Sequence, residues 1–112
     1  MDEQLFLTVA DAQLGRIETA LERLIDAGEA DIDVEQKAGG VMEIECANGS
    51  KIIINRHSAA REIWIAARSG GYHFAFDGGA WVAAKDGSEL MKVLARCLSE
   101  QTGAVIALDH TN

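Results

Sequence analysis

Ten carboxylates crowd the first 35 residues: Asp2, Glu3, Asp11, Glu18, Glu22, Asp26, Glu29, Asp31, Asp33 and Glu35, against only Arg16 and Arg23. Residues 36–112 carry eight acids and eight bases, so the net charge of −8 originates entirely in the opening third of the 112-residue chain. Carboxylate oxygens on mobile side chains attract hard cations and basic protein surfaces. With neither nitrogen nor sulfur ligands among them, these residues suit weak, exchangeable binding of divalent or trivalent ions rather than a tight catalytic centre. Glu18/Glu22 and Glu22/Asp26 stand at i,i+4, where like charges cost a helix about 0.2–0.5 kcal/mol each. The plain alternative is a solvated face that aids solubility. The continuation of the acids from a helix onto the next strand favours one cation-attracting patch.

Other chemistry finds no support. There is no GxSxG, GxGxxG, Walker A, HExxH or CxxC motif. His57, His73 and His110 are scattered along the chain and read as surface histidines, not as ligands of a zinc ion. Asp31-Ile32-Asp33-Val34-Glu35 has the acid spacing of a calcium loop but lacks its glycine, and its apolar residues mark a strand. Cys46 and Cys97 fall on apolar faces and read as structural thiols in a reducing, cytoplasmic setting. The acidic balance argues against a nucleic-acid phosphate backbone. No apolar run approaches the roughly 18–20 residues of a membrane span, and the acidic start resembles no signal or transit peptide.

The elements that must hold the acids follow from periodicity. Phe6, Ala10, Leu14, Ile17, Leu21 and Leu24 form one stripe of a helix over residues 4–27, with Asp11, Glu18, Glu22, Asp26 and Glu29 on an exposed flank and Gly28 as its stop. Strict alternation predicts strands over 31–35, 41–46, 51–56, 62–67 and 72–76, with a short sixth around Trp81. Gly39-Gly40, Asn48-Gly49, Gly70-Gly71 and Asp77-Gly78-Gly79 supply turns. A second helix is expected over 88–102, capped by Ser88, with Leu90, Leu94, Cys97 and Leu98 buried and Gly103 ending it. The apolar tail 104–108 should pack between the helices. Helix, antiparallel strands, helix predicts a two-layer α+β sandwich within a single domain spanning 1–112, both helices covering one face of the sheet. The other face is then open to water, as antiparallel sheets allow. The alternation turns Tyr72, Phe74 and Phe76 inward, and Ile53, Asn55, Trp64 and His73 onto the open face. An exposed tryptophan beside an isoleucine there is a candidate contact patch.

The stretch Asn48-Gly-Ser-Lys-Ile-Ile-Ile-Asn-Arg56, then Ile63-Trp-Ile-Ala-Ala67, Gly70-Gly-Tyr-His-Phe74, Trp81 and Asp86-Gly87, resembles the bacterial frataxins of the CyaY type over nearly the whole chain. That resemblance implies a frataxin-like α+β fold and an acidic ridge binding iron weakly. It further implies docking to the cysteine desulfurase of the iron–sulfur scaffold machinery, in a role as iron donor or iron-dependent regulator and not as an enzyme. Carried over residue by residue, it assigns Glu18, Glu22, Asp26, Glu29, Asp31, Asp33 and Glu35 to metal, and Glu22, Asp33, Asn55 and Trp64 to the partner. A monomer is expected without iron. Departures are Thr19 and Arg23 in place of further acids, Glu43 and Glu45 as extra acids, and Ala59-Ala60 where a proline is usual. Two other readings remain. One is an acidic interaction module without a metal role. The other is a ferroxidase, disfavoured because no Glu-x-x-His occurs.

Overall fold

Apolar residues at helical spacing at both ends of the chain, and at alternate positions between them, leave a simple solution: fold the alternating segments into one sheet and close the two stripes over it. The computed structural model, which describes residues 1–108, takes that form. Helix α1 (Glu3–Asp26) is followed by strands β1 (Ile32–Lys37), β2 (Val41–Cys46), β3 (Lys51–His57), β4 (Glu62–Ala67), β5 (Gly70–Asp77) and β6 (Ala80–Val82), and then by helix α2 (Leu90–Thr102). The strands lie in sequence order in one sheet, each antiparallel to the next.

Phe6, Ile17 and Leu21 of α1, Leu94, Cys97 and Leu98 of α2, and Met42, Ile44, Ile52, Ile54, Ile63, Ile65 and Phe74 of the sheet are buried in one core. Phe6 meets the indole of Trp81 edge-on, with ring centroids 6.2 Å apart. Tyr72 and Phe76 point to this layer as expected, half-buried against the core. The tail also joins it: Ile106 and Leu108 are buried, and Ile106 exchanges two hydrogen bonds with the Ser99 hydroxyl of α2, at 2.9 and 3.2 Å.

Local chemistry explains the element ends. Asp2 caps α1 by accepting from Leu5 N–H at 2.8 Å. At the other end Gly28 adopts φ +73°, its N–H donates to Ile25 O, and Glu29 N–H reaches back to Leu24 O, a Schellman closure. The Asn48-Gly49 turn is a three-residue loop: Gly49 N–H donates to Cys46 O, and Cys46 N–H to Ser50 O. The start of α2 departs from expectation. The cap is Glu89, not Ser88, and no side chain closes it. Glu89 is drawn into extended geometry by a bridge to Val82, while Ser88 N–H is taken by Asp86 Oδ1 at 3.0 Å, so the helix starts after both. His110 and the rest of the last four residues lie outside the described residues.

Candidate functional site

The seven predicted metal residues occupy two faces. Glu18, Glu22 and Asp26 follow one another along α1, with Glu29 and Asp31 in the loop that joins it to β1. All are exposed except the partly exposed Glu18. Asp33 and Glu35 are exposed on β1, while Ile32 between Asp31 and Asp33 is buried beneath the helix layer. Because successive strand side chains alternate, Asp33 and Glu35 project from the open face, and the helix acids flank the opposite layer. α1 approaches the edge strand β1, and the loop that carries Glu29 and Asp31 links the two sets along the chain. None of the seven makes an ion pair within the described residues.

Asp11 leaves the helix set. The Arg56 guanidinium bonds its carboxylate, with the Arg56 side chain lying across Gly40. Arg56 shares the inner parity of Ile52 and Ile54 but sits at the strand's end, where it reaches α1. Forty-five residues separate the partners, so no local pattern could reveal the pair.

The open face also carries the two extra acids, Glu43 and Glu45, that the sequence reading assigns to neither metal nor partner. The register places Glu45 directly opposite Asp33 and Glu43 directly opposite Glu35. Opposed side chains in such a ladder have Cβ atoms roughly 4.5–5.5 Å apart, and like charges there repel. Glu43 is compensated: Lys37 Nζ and Lys51 Nζ grip its two oxygens at 2.9 and 3.0 Å. Hydrogen bonds from Lys37, then Lys51, hold the Glu43 carboxyl below the usual carboxylate range, and its presence raises both lysines. Neither Asp33 nor Glu45 makes an ion pair among the described residues; Lys51 stands opposite Glu45 in the β2–β3 register but spends its contact on Glu43. The position of Glu45 opposite Asp33 could have been found by counting the β1–β2 register back from the Gly39-Gly40 turn.

Trp64 and Asn55 face each other across β3 and β4 on the open side, as expected. Trp64 is half-buried, though, and not freely exposed. The imidazole of His57 stacks on the indole at 3.9 Å and 14°, and that of His73 at 4.2 Å and 6°. These histidines come from the strands on either side of β4, so they cover opposite ring faces; they are not scattered in space. Trp64 Nε1 donates to Glu62 Oε1 at 2.7 Å, and His73 Nδ1 lies 3.7 Å from the same oxygen. His57 Nδ1 accepts from Ala60 N–H at 3.3 Å. The indole is thus clamped edge and face, a rigid polar-rimmed platform. Among the described residues no three acid, histidine or thiol groups converge to hold a metal ion. Both cysteines are buried and free.

A helix flank and a strand bearing unpaired acids, attached to a meander with a tryptophan on its open side, match a known architecture. Residues 1–104 match the frataxin-like domain. The chain belongs to the frataxin family. It is 50% identical over 108 residues to the iron-sulfur cluster assembly protein CyaY of Dechloromonas aromatica, covering 96% of this chain and 99% of that one. With the CyaY protein of Cupriavidus taiwanensis it shares 46% over 107 residues, 96% of both chains. Its fold superposes on frataxin from Psychromonas ingrahamii with a TM-score of 0.84 at 26% identity, covering 98% of this chain and all of that one. Trimeric yeast frataxin complexed with ferrous iron gives a TM-score of 0.71 at 29% identity, covering 84% and 85%. No helix among the described residues is long and apolar enough to cross a membrane.

Proposed function

We propose that this frataxin acts in iron–sulfur cluster assembly as a carrier or iron-dependent modulator, holding ferrous iron as loosely bound cargo and docking through the same acids to the basic surface of a cysteine desulfurase. The observation that carries the reading is the lack of neutralisation. Glu18, Glu22, Asp26, Glu29, Asp31, Asp33 and Glu35 have no ion-pair partner among the described residues, whereas Asp11 and Glu43 on the same molecule do. The absence of any three-ligand cluster among the described residues favours exchangeable binding by one or two oxygens at a time. The names of the relatives support the pathway, and ferrous yeast frataxin supports the cargo. Asn55 and Trp64, the latter held rigid between His57 and His73, would form a second contact for the assembly machinery.

Anaerobic titration with ferrous iron, followed by amide NMR, tests the metal part. Broadening should begin between Glu18 and Glu35 and include Glu45. Broadening centred on His57 and His73 would overturn it. The same lack of a convergent cluster favours a second reading, an acidic docking module without a metal role. In that case binding to immobilised desulfurase is unchanged by chelator or iron.

A further inference from the structure

Gln13 interrupts the apolar stripe of α1. It is buried on the same side as Ala10, Leu14 and Ile17 and is only 7% exposed, yet its amide makes no hydrogen bond among the described residues. Trp81 of β6 repeats the pattern. Its ring packs against Phe6 and Phe76, with centroids 6.2 and 5.2 Å away, and it is 5% exposed. Its indole N–H has no acceptor among the described residues either. Trp64 shows the usual arrangement, its indole N–H bonded to Glu62. Buried polar groups in native proteins nearly always have a partner, so two without one need a reason.

Both side chains line one pocket of about 130 Å³, walled by the Gly79-Ala80 turn and the first turn of α2. No unpartnered side-chain nitrogen or oxygen among the described residues is sealed from solvent, so the little that stays accessible of Gln13 and Trp81 includes their polar ends. The third wall is a donor too. α2 is 13 residues long, and no side chain caps its start at Glu89. The first N–H groups of a helix lack intrahelical acceptors and carry the positive end of its dipole. An indole N–H and helix N–H groups only donate, and an unbonded glutamine amide is free to turn its NH₂ toward them. The occupant that satisfies this set is an acceptor.

Charge gives its sign. Arg16 and Lys92 line the pocket with a single carboxylate, Glu89, which is exposed and lies 3.8 Å from Lys92 Nζ. Arg16 has a contact of its own. The cations therefore bias the field toward an anion, while the unpartnered donors supply the bonds. A cavity of about 150 Å³ holds a benzene molecule, so an ion with fewer heavy atoms fits here.

We propose that this pocket binds one small oxyanion, free inorganic phosphate or sulfate, which accepts from the Trp81 indole N–H, the Gln13 amide and the first turn of α2. Gln13, Trp81 and Leu90 come from three different elements, so only the closed sandwich makes the site. It shares no residue with the acids assigned to iron and does not depend on that assignment.

The test is NMR of the full chain in buffer free of both ions, titrated with sodium phosphate, sodium sulfate or, at matched ionic strength, sodium chloride. Phosphate and sulfate should shift the Trp81 indole N–H and the Met91 and Lys92 amides, saturating in the millimolar range, while the Trp64 indole N–H stays in place. Gln13→Leu keeps the buried volume and loses no bond within the protein; it should weaken binding about tenfold. Glu89→Gln, at an exposed position, removes the one opposing charge and should tighten binding about threefold. Equal shifts in chloride would reduce the effect to screening and overturn the proposal. Absence of a saturable shift at Trp81 would mean that water alone satisfies the donors, and would overturn it as well. Unchanged affinity in both variants would refute the placement of the ion.

Discussion

Replacing Gln101 with methionine probes the most connected polar group in the core. Gln101 is 4% exposed on the inner side of α2. Its Oε1 accepts from Arg68 N–H at 2.8 Å, and its Nε2 donates to Ser50 Oγ at 3.0 Å and Lys51 O at 3.3 Å. One amide therefore ties α2 to the β2–β3 loop and to the β4–β5 loop. Asn48 Nδ2 adds a bond to the Gln101 main-chain oxygen at 2.9 Å, which the substitution leaves in place. Methionine keeps the length and volume and deletes the three side-chain bonds. A neutral hydrogen bond contributes about 1 kcal/mol net, and a buried group left unpaired costs about 1–3 kcal/mol. Ser50 Oγ retains Asn48 Oδ1 at 2.7 Å, the bond to Lys51 O is long, and apolar methionine recovers some burial energy. The expected loss is about 2 kcal/mol. With a urea slope of about 1–2 kcal/mol per molar for a domain of this size, the midpoint should fall by about 1–2 M at unchanged slope. A double-mutant cycle with Ser50→Ala should show coupling of about 0.5–1 kcal/mol. A loss below about 0.5 kcal/mol, or zero coupling, would mean water replaces the amide freely and would refute this account of the lock.

Other outcomes follow from the same coordinates. Glu22→Lys with Asp33→Lys removes two i,i+4 repulsions, with Glu18 and with Asp26, and the clash with Glu45; urea denaturation should show a gain of about 0.5–1.5 kcal/mol, while retention on immobilised desulfurase weakens. Glu43 has a depressed carboxyl, so its contribution is complete above the ordinary value of 4.5 and vanishes as pH falls through the lower folded-state value. Thermal melts of Glu43→Gln across acid pH should therefore show a shallower loss of stability than the parent. Gly40 has φ +75°, and a methyl group there would fall 2.5 Å from Arg56 Cγ; Gly40→Ala should cost about 1–3 kcal/mol in urea and free Asp11 from Arg56. Trp64→Ala removes two ring stacks, each worth about 0.5–1.5 kcal/mol; calorimetry should show a loss of about 1–3 kcal/mol, where a freely exposed indole would show almost none.

Most of the architecture was legible in the chain because it is encoded locally. The stripe from Phe6 to Leu24 and the alternation of Val41–Cys46 state which side of each element is apolar, and an element with one apolar side has few ways to bury it. Gly28 and Asn48-Gly49 mark real punctuation because a left-handed backbone is a property of single residues. The open-face positions of Asn55 and Trp64 followed from the same parity. The Ser88 cap was misplaced, and Gly70-Gly71, expected as a turn, instead pairs within β5 opposite Ala67 and Ala66, because a neighbour in space, the Val82 bridge or the β4 hairpin partner, competes with local preference.

Sequence by itself determined the elements, their faces and the excess of negative charge in the first third, since composition and periodicity are additive along the chain. Only tertiary structure decided which charges remain unpaired. Asp11 is silenced by Arg56, Glu43 is bracketed by Lys37 and Lys51, Asp33 is set against Glu45, and His57 and His73 close on Trp64. Each of these depends on distances of a few ångströms between segments remote in the chain. Electrostatic and stacking energies fall steeply over that range, so only the assembled sheet can assign them.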